Sequence, residues 1–396
     1  MYQDTDTVIV AASRTAIGSF NGSFRDVAPY KLGSAVIQSL LGKINMKASD
    51  IDEVILGQIL TAGQGQNPAR QAAIDAGIPF ETPAWLINQL CASGLRSVII
   101  AHQQIKEDFG RILIAGGQES MTQAPHVSYI RQGQKMGALQ MQDTMISDAL
   151  IDFFNNYHMG VTAENVADRW SISRDAQDKF AFDSQMKAAK AQDDGKFIDE
   201  ICPVHIEQKK NKEIVLEDEY IRKNISMDDI ASLNTIFKKE GGTVTAANAS
   251  GINDGAAGVL LMSYAKAKSM RLEPLARIVG WGQAAVDPAI MGTGPIPAIK
   301  SALSNIDWNI NDIDLFELNE AFASQACACA KDLNIPADKL NVNGGAIALG
   351  HPVGASGARI LVTLLHEMVK RKASKGLASL CVGGGMGVAL CVERYN

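Results

Sequence analysis

The stretch Asp50-Ile-Asp-Glu-Val-Ile-Leu56 returns later in the chain as Asp312-Ile-Asp-Leu-Phe316, 262 residues further on. In both places, two aspartates that flank an isoleucine come just before a short apolar run that is typical of a buried strand. Two more pairs of features recur at similar offsets of 260 and 267 residues: the segments at Cys91 and His351, and the glycine pairs Gly116-Gly117 and Gly383-Gly384. Self-similarity over a period of this size indicates a duplicated unit and not a solenoid of short repeats.

Strands and helices alternate around both copies of this stretch. In the first copy, apolar runs and helical spacing predict the order strand 7–12, helix 30–41, strand 54–56, strand 84–90, helix 93–106 and strand 112–115. Alternation of this kind predicts the α/β class, with a largely parallel sheet in each unit.

The middle of the chain has a different character, because it is rich in methionine and in charged residues. Most of these charged side chains are expected at a solvated surface. We therefore expect an insertion between two related halves. The predicted organisation is an N-terminal half of residues 1–121 and 250–273, an inserted loop domain of residues 122–249, and a C-terminal half of residues 274–396.

Composition excludes several classes of function. The 37 lysines and arginines against 43 aspartates and glutamates give a formal net charge of −6, whereas a nucleic-acid binder usually has a basic footprint. No apolar run approaches the ~20 residues of a membrane-spanning helix, and the acidic N-terminus lacks the apolar core of a signal peptide. The six cysteines are too widely spread for a disulfide scaffold, so we expect free thiols in a reducing cytoplasm.

The cysteines also do not form a recognisable metal site. Cys327 and Cys329 are separated by one residue, whereas common zinc-binding pairs have two to four residues between them. The small residues around both cysteines indicate a helix in which they pack, so we predict no metal. The sequence also contains no Walker loop, no HExxH motif and no GxSxG motif.

Cys91 has the surroundings of a reactive thiol. It lies in Asn88-Gln-Leu-Cys-Ala-Ser-Gly-Leu-Arg96, between a predicted strand and a predicted helix. At this position the positive end of the helix dipole favours the thiolate, and the small neighbouring residues would let a substrate approach. These features fit a nucleophile and a buried core thiol equally well.

Three other segments have polar residues or glycines at the ends of predicted strands. His351 lies in a glycine-rich segment and is followed by Pro352, as a positioned base would be, although a lone histidine is more often structural. Cys381 ends a strand and precedes three glycines whose N–H groups could line an oxyanion hole. Asn319 lies at a strand-to-helix junction, where the alternative is a helix cap. Together these residues suggest covalent thiol chemistry with a second acid or base.

The same segments resemble the motifs of the thiolase family, in order and over essentially the whole chain. The matching segments are Asn88-Gln-Leu-Cys-Ala-Ser-Gly-Leu-Arg96, Gly116-Gly-Gln-Glu-Ser-Met121, His158-Met-Gly-Val-Thr-Ala-Glu-Asn165, Gly242-Thr-Val-Thr-Ala-Ala-Asn-Ala-Ser-Gly251, Asn319-Glu-Ala-Phe322, Gly350-His-Pro352 and Cys381-Val-Gly-Gly-Gly-Met-Gly387. The resemblance implies the α/β thiolase fold, in which two duplicated βαβαβαββ halves form a layered αβαβα core with an inserted loop domain.

The resemblance also implies a role for each reactive residue. Cys91 is the nucleophile that carries the acyl group, His351 activates it, and Cys381 is the general acid/base that acts on the substrate carbon. Asn319 holds a water that forms one oxyanion hole together with His351. The backbone N–H groups of Cys91 and Gly383 form the other. Two thiols suit this chemistry, because one cysteine cannot hold the acetyl group and act as the base at the same moment.

The resemblance assigns the binding of coenzyme A largely to the inserted domain. Tyr157-His-Met159 and Met291 match the short-chain members of the family in particular. An apolar slot with a few polar groups suits the pantetheine arm and the adenine. The matching positions are Leu150, His158, Met159, Arg222, Leu233, Phe237, Ala246, Ser250, Met291, Ala321 and Phe322.

The activity implied by the resemblance is that of an acetyl-CoA C-acetyltransferase. Such an acyltransferase condenses two acetyl-CoA molecules reversibly to acetoacetyl-CoA and CoA, with ping-pong kinetics through an S-acetyl group on Cys91. CoA is then a substrate and product, and no separate cofactor is expected. Family members further imply a homotetramer that is a dimer of dimers.

Three alternatives remain at this stage. A degradative 3-ketoacyl-CoA thiolase would accept longer acyl chains. A ketoacyl-ACP synthase shares the fold and a cysteine nucleophile, but Cys381 in its glycine run argues against that class. An inactive CoA- or lipid-binding relative would be expected to lack Cys91, His351 or Cys381, and all three are present.

Overall fold

The aspartates that open the repeated stretch make the same hydrogen bonds in both halves of the molecule. In the computed structural model, which describes residues 1–207 and 212–395, Asp52 N–H donates to Ile112 O, and the Asp52 carboxylate accepts from Ile112 N–H at 2.7 Å. Asp314 makes the same pair of bonds with Lys375, the carboxylate accepting at 2.9 Å. The repeated acidic residue therefore joins equivalent strands in each half.

The offset between equivalent positions is 262 residues at Asp52 and Asp314 and 263 residues around the reactive segments, because the helices that follow these segments begin at Ser93 and Ser356. At the offset of 263 residues Cys91 is equivalent to Gly354, so its pairing with His351 is wrong by three residues. The match of the glycine pairs is wrong by four residues. The duplication itself is confirmed, but motifs of one or two residues are too short to define its register.

The described residues contain ten strands that pair into one mixed sheet, and short hairpins outside it. The strands are β1 (Thr7–Arg14), β2 (Gly18–Ser19), β3 (Glu53–Gly57), β4 (Ala84–Ile87), β5 (Ile112–Ser120), β6 (His126–Val127), β7 (Gln142–Asp143), β8 (Ile151–Asp152), β9 (Tyr157–His158), β10 (Val204–Glu207), β11 (Lys212–Val215), β12 (Asn253–Ser263), β13 (Ala276–Ala285), β14 (Leu315–Leu318), β15 (Lys375–Val382) and β16 (Met386–Glu393).

The helices follow the predicted alternation in both halves and continue through the insertion. They are α1 (Pro29–Lys43), α2 (Pro68–Asp75), α3 (Ser93–Glu107), α4 (Met159–Trp170), α5 (Arg174–Asp193), α6 (Met227–Ala231), α7 (Tyr264–Ser269), α8 (Pro295–Ser304), α9 (Ala323–Leu333), α10 (Ala346–Leu349) and α11 (Ser356–Arg371). Helix α1 begins at a proline, whose missing N–H and fixed φ suit the first turn.

The strand order shows the two related halves. It runs β14-β15-β16-β13-β1-β12-β5-β3-β4, and β2 adds to β12. Strands β3, β4 and β5 are parallel to one another, as are β14 and β15, and the remaining neighbours are antiparallel. The path β3-β5-β12-β1 therefore repeats as β14-β15-β16-β13. A short antiparallel pairing of β1 with β13 joins the halves.

Five layers result from this arrangement. Helices α1 and α2 cover the outer face of the first half, and α8 and α9 cover the outer face of the second. Helices α3 and α11 lie between the halves, in one apolar core with side chains from the strands of both. The predicted α/β class and its layered αβαβα core are confirmed, and burial on both faces explains why the central strands lack a polar–apolar alternation.

The two central helices cross at glycines that occupy equivalent positions. A Cβ atom on Gly94 would lie 2.8 Å from the backbone nitrogen of Ala358, and one on Gly357 would lie 2.5 Å from that of Leu95. Both distances are shorter than real Cβ contacts, so any side chain here would push the helices apart. The absence of a Cβ at both positions lets the helix backbones touch.

A buried cluster of three charged side chains links the predicted insertion to the first half. Arg14, at the end of β1, is fully buried and donates to Glu200 at 2.7 Å and to both oxygens of Asp218 at 2.7 and 2.8 Å. Both carboxylates belong to the predicted insertion. Removing one partner of such a buried group typically costs about 3–5 kcal/mol, because the remaining charge has no water to solvate it.

No helix within residues 1–207 and 212–395 combines the length and the apolar character that a crossing of the bilayer requires.

The glycine crossing yields a stability prediction. Gly357→Ala should lower the free energy of unfolding by about 1–3 kcal/mol, because the new methyl group overlaps the backbone of α3. Gly42→Ala is the matched control, since a Cβ atom at this position in α1 meets no atom within 4 Å and should be neutral or slightly stabilising. Thermal unfolding followed by circular dichroism would compare the variants, and equal melting temperatures would contradict the proposed role of the crossing.

Candidate active site

A cavity of about 480 Å³ opens where the two halves and the insertion meet. Cys91 reaches it from the first half, His351 and Gly383 from the second half, and Met159 from the insertion. The segments that the sequence singled out separately therefore share one cavity, although 292 residues separate Cys91 from Gly383. The N-termini of the central helices α3 and α11 point to this end of the molecule, which brings the thiol and the imidazole together.

Residues with positive φ lie directly before Cys91 and His351 and a few residues after Cys381. Leu90, just before Cys91, has φ of 48°, and Gly350, just before His351, has φ of 108°. Gly384 and Gly385, after Gly383, have φ of 77° and 85°. Leu90 is the exception among these, because a residue with a Cβ is strained in this region, and such strain is found preferentially at functional sites.

Cys91 is held as a neutral thiol in this structure. Burial raises the pKa of the Cys91 thiol to about 11, although the backbone N–H groups of Gly383 and of Cys91 itself favour the thiolate and lower it. The predicted effect of the helix dipole, which favours the thiolate, is therefore opposed by burial in the unliganded protein. The loss of water around the sulfur outweighs the dipole of α3.

His351 is fixed by contacts along both its backbone and its ring. Its N–H donates to Asn253 Oδ1 at 2.9 Å, its ring Nδ1 lies 2.6 Å from Ser356 Oγ, and its Nε2 lies 3.4 Å from Asn319 Nδ2. Burial, and to a smaller extent the positive charge of Arg359, lowers the pKa of His351 to about 4. The imidazole is therefore neutral at pH 7 and able to accept a proton.

Cys381 lies just behind the cavity surface. It is 1% exposed and packs in one apolar cluster with Met159, Met291 and Phe322. Burial raises the pKa of the Cys381 thiol well above its ordinary value, and the proximity of Cys91 raises it further. The two thiols are therefore near enough to influence each other's ionisation.

Asn319 does not cap a helix, which was the alternative to a role in the site. Helix α9 begins at Ala323, and its N-cap is Phe322. The side chain of Asn319 faces His351 instead, and its Oδ1 is buried without a hydrogen-bond partner among the described residues. A buried polar atom of this kind fits an additional polar ligand such as a water.

Most of the residues assigned to CoA binding surround the same cavity. Nine of them line it, and His158 stacks on Phe237 with ring centroids 4.6 Å apart. Gly160 makes this stack fit, since a Cβ atom there would lie 2.1 Å from the Phe237 ring. The nine lining residues are Leu150, His158, Met159, Phe237, Ala246, Ser250, Met291, Ala321 and Phe322.

Arg222 and Leu233 do not line the cavity. Arg222 is exposed, and its guanidinium lies over the ring of Tyr220, which does line the cavity. Leu233 is partly buried, and its carbonyl accepts from Arg174 at 3.0 Å. The structure therefore brings Arg222 to the entrance of the cavity through Tyr220 and leaves Leu233 apart.

Sequence reasoning missed three residues that hold the site together. Asn253 bonds the His351 backbone and donates to Gly18 O at 3.0 Å. Ser356 bonds the His351 ring. Glu119 accepts from the N–H groups of Ile59, Leu60 and Gly354 at 2.9, 3.3 and 3.0 Å. Glu119 stands inside a quoted segment, but its partners lie far away in the chain. Ser356 follows Gly350-His-Pro352 closely, but the contact of its hydroxyl with the imidazole depends on a side-chain geometry that sequence spacing does not reveal.

The part of the chain that the structure describes holds no group of three or more histidine, cysteine, aspartate or glutamate side chains with the geometry for a metal ion. The chemistry available at the cavity is that of two thiols, one neutral imidazole, an amide and backbone N–H donors. Such a set can exchange acyl groups and move protons to and from carbon.

Comparisons with known proteins agree with this chemistry. Residues 7–265 match the family model of the thiolase N-terminal domain, and residues 272–394 match that of the thiolase C-terminal domain. The acetyl-CoA acetyltransferase of Rhizobium meliloti (strain 1021) is 57% identical over 387 residues, with 98% of each chain covered. The cytosolic acetyl-CoA acetyltransferase of Rattus norvegicus is 50% identical over 388 residues, again with 98% of each covered. The crystal structure of the Bacillus anthracis acetyl-CoA acetyltransferase superposes with a TM-score of 0.96 at 42% identity, covering 98% of this chain and 99% of that chain.

The protonation state of Cys91 can be tested by alkylation. Because its pKa is raised to about 11 and only the thiolate reacts, the rate of alkylation by iodoacetamide should continue to rise through pH 10. A model cysteine peptide should level off above its pKa of about 8.5. Mass spectrometry of the Cys91 peptide would follow the reaction, and a plateau below pH 8 would contradict the neutral thiol.

Proposed function

The chain belongs to the thiolase family, and we propose that it catalyses the reversible condensation of two acetyl-CoA molecules to acetoacetyl-CoA and CoA, with the acetyl group carried on Cys91. The observation that carries this proposal is that the Cys91 thiol and a neutral imidazole line a single cavity, with the second thiol, Cys381, buried directly behind its wall. Relatives that are 50–57% identical are named acetyl-CoA acetyltransferases. The chain is accordingly an acyltransferase.

The first half-reaction transfers the acetyl group to the enzyme. His351 Nε2 takes the proton of the Cys91 thiol, and the resulting thiolate attacks the carbonyl carbon of acetyl-CoA. The backbone N–H groups of Cys91 and Gly383 stabilise the oxyanion of the tetrahedral intermediate. The C–S bond of the thioester then breaks, CoA leaves as a thiolate, and His351 returns the proton to it. Thiol and leaving group are chemically alike, so the exchange needs little driving force.

The second half-reaction forms the carbon–carbon bond. Cys381 first gives its thiol proton to the neutral imidazole of His351, and the resulting thiolate, a strong base because of its raised pKa, removes a proton from the methyl group of a second acetyl-CoA. The protonated His351 and a water held by Asn319 stabilise the enolate oxygen. The enolate carbon attacks the acetyl carbon on Cys91, the C–S bond breaks, and acetoacetyl-CoA forms. Cys91 leaves as a thiolate and takes the proton from His351, which restores both thiols and the neutral imidazole. CoA is thus a substrate and product, and the scheme needs no metal or separate cofactor.

The CoA ester is proposed to enter along the residues of the insertion that line the cavity. His158 and Phe237 form an aromatic wall for the pantetheine arm, and Ser250 and Ala246 lie on the same surface. Arg222 at the entrance would offer a positive charge to the phosphates of CoA. We propose a cytoplasmic location, which is supported by the two rodent relatives that are named cytosolic.

The roles of the two cysteines are separable by substitution. Cys91→Ala should abolish formation of the acyl-enzyme, because no other nucleophile is proposed. Cys381→Ala should still become acetylated by acetyl-CoA, but it should lose about a hundredfold or more of its condensation rate, since the base that acts on carbon is missing. Mass spectrometry of the intact protein would detect the 42 Da acetyl adduct expected from the chemistry, roughly one per chain. Near-normal synthesis of acetoacetyl-CoA by Cys381→Ala would refute the assigned roles.

The acyl end of the cavity favours short chains. Met159, Met291 and Phe322 close it together with Cys381 in one buried cluster. We expect kcat/KM in the cleavage direction to be at least about tenfold higher for acetoacetyl-CoA than for 3-ketooctanoyl-CoA, because extra methylenes would overlap this wall. Met291→Ala should lower this ratio of kcat/KM values, because the smaller side chain opens space for the longer acyl chain at the end of the cavity. Comparable activity on the two substrates would favour the degradative thiolase of broader chain length instead.

A homotetramer is proposed on the basis of unpartnered apolar surface. The hairpin of β6 and β7 encloses Tyr129, Met136 and Met141, which are 91%, 91% and 65% exposed. Within the described residues, strand β4 pairs only with β3 and leaves its other edge open. Exposed apolar clusters and open strand edges are typical of subunit contacts.

The subunit contacts can be tested by light scattering after size-exclusion chromatography. The protein should elute with the mass of four chains, and Met136→Lys should reduce it to that of two, because a charge cannot be buried in an apolar contact. Ile198→Lys, which changes a 77% exposed residue outside the hairpin, should leave the mass unchanged. A monomer in every case would refute this part of the proposal.

A further inference from the structure

We infer that Ser356 is a positioning residue whose hydroxyl holds His351 as the tautomer with its proton on Nδ1, so that Nε2 keeps the lone pair that accepts the proton of Cys91. The inference rests on the proposed role of His351 as the base. A histidine ring nitrogen accepts a proton only when its lone pair is free, and the partner of the other nitrogen decides which one that is.

Two short contacts of the Ser356 hydroxyl define its hydrogen-bonding. The oxygen lies 2.6 Å from His351 Nδ1 and 2.9 Å from the carbonyl oxygen of Pro352, and the side chain is 1% exposed. The carbonyl can only accept, so a hydroxyl that donates to Pro352 must itself accept from Nδ1–H. In the opposite arrangement Ser356 donates its single hydroxyl hydrogen to Nδ1. No hydrogen then lies between the Ser356 oxygen and the Pro352 carbonyl, so one of the two hydrogen bonds is lost.

The equivalent serine in the other half shows the same geometry with an unambiguous donor. Ser93 begins α3 as Ser356 begins α11, and its hydroxyl oxygen lies 2.7 Å from the carbonyl of Leu90 and 2.8 Å from the backbone N–H of Gln89. A backbone N–H can only donate, so the Ser93 hydroxyl must donate to the carbonyl.

Ser356 repeats this arrangement with one change of donor. Its hydroxyl again faces a carbonyl of the preceding turn, and the imidazole Nδ1 takes the place of the Gln89 N–H. The duplicated helix start therefore supplies an acceptor to His351 and favours the Nδ1–H tautomer. Because the His351 ring is only 6% exposed, no bulk water is available to take over this role of the serine.

Loss of the hydroxyl should act on proton transfer more than on substrate binding. In Ser356→Ala, the buried Nδ1–H loses its acceptor, and the tautomer with the proton on Nε2 becomes populated. That tautomer cannot take the proton of Cys91. We expect the single-turnover rate of Cys91 acetylation to fall about 10- to 100-fold, while KM for acetyl-CoA changes less than about threefold.

Two further variants separate this effect from a general loss of packing. Ser356→Thr keeps a hydroxyl and should recover most of the rate. Ser97→Ala is the matched control, since Ser97 is a buried serine of α3 whose hydroxyl hydrogen-bonds to the carbonyls of Gly94 and Gly116 and, within residues 1–207 and 212–395, to no side chain or backbone group of the site. Its acetylation rate should stay within about twofold of the original protein. If Ser356→Thr fails to fold, the comparison of the two alanine variants still decides the question.

Alkylation provides a readout that does not depend on the proposed reaction. Iodoacetamide modification of Cys91 should be about tenfold or more slower in Ser356→Ala than in the original protein at pH 7, where the base must remove the proton. The two rates should converge near pH 10, where hydroxide does so. Equal rates at pH 7, or an equal loss in Ser97→Ala, would overturn the inference. If acetyl-CoA fails to acetylate the original protein but the alkylation rates differ as expected, the proposed function is wrong and the role of Ser356 stands.

Discussion

The close contact between α3 and α11 is the constraint on which the rest of this molecule depends. The two helices touch through Gly94 and Gly357, and a side chain at either position would overlap the backbone of the other helix. Gly117, on the neighbouring strand, is equally confined, because a Cβ there would lie 2.1 Å from the carbonyl oxygen of Gly354. These contacts set the distance between the halves. Since Cys91 lies two residues before α3 and His351 five residues before α11, the same contacts bring the thiol and the imidazole to one cavity.

The duplication gives the two halves the same backbone scaffold, but the reactive groups on that scaffold differ. Asp52 and Asp314 make the same hydrogen bonds, and Ser93 and Ser356 begin equivalent helices with the same hydroxyl-to-carbonyl bond. Around these common points the reactive groups differ, since the position equivalent to Cys91 is a glycine. The structural residues are thus the ones that repeat, and the reactive residues stand in the turns, which are free to vary because the scaffold holds both ends.

The sequence predicted the alternation of elements, the duplication and the reactive segments, because strong apolar periodicity and dense local motifs carry that information. It could not give the register of the repeat, and it did not reveal Asn253 or Glu119, whose hydrogen bonds to His351 and Gly354 span 98 and 235 residues. Long-range bonds of this kind leave no local pattern. The raised pKa of Cys91 was not predictable for a related reason, because the dipole of α3 can be inferred from the sequence whereas the burial that opposes it is a property of the whole fold.

The neutral resting state of the site follows from this exclusion of water and suits the proposed chemistry. With a Cys91 thiol of pKa about 11 and a His351 imidazole of pKa about 4, separated charges are unfavourable before a substrate binds. A thioester that enters supplies an electrophile for the sulfur and an oxygen for the N–H groups of Cys91 and Gly383, so charge would form only where fixed donors receive it. Glu119 fits the same logic. Its buried carboxylate, with a pKa raised to about 7, accepts from Gly354 N–H in the turn after His351 and from Ile59 N–H in the first half, and its negative charge contributes to the raised pKa of the Cys91 thiol.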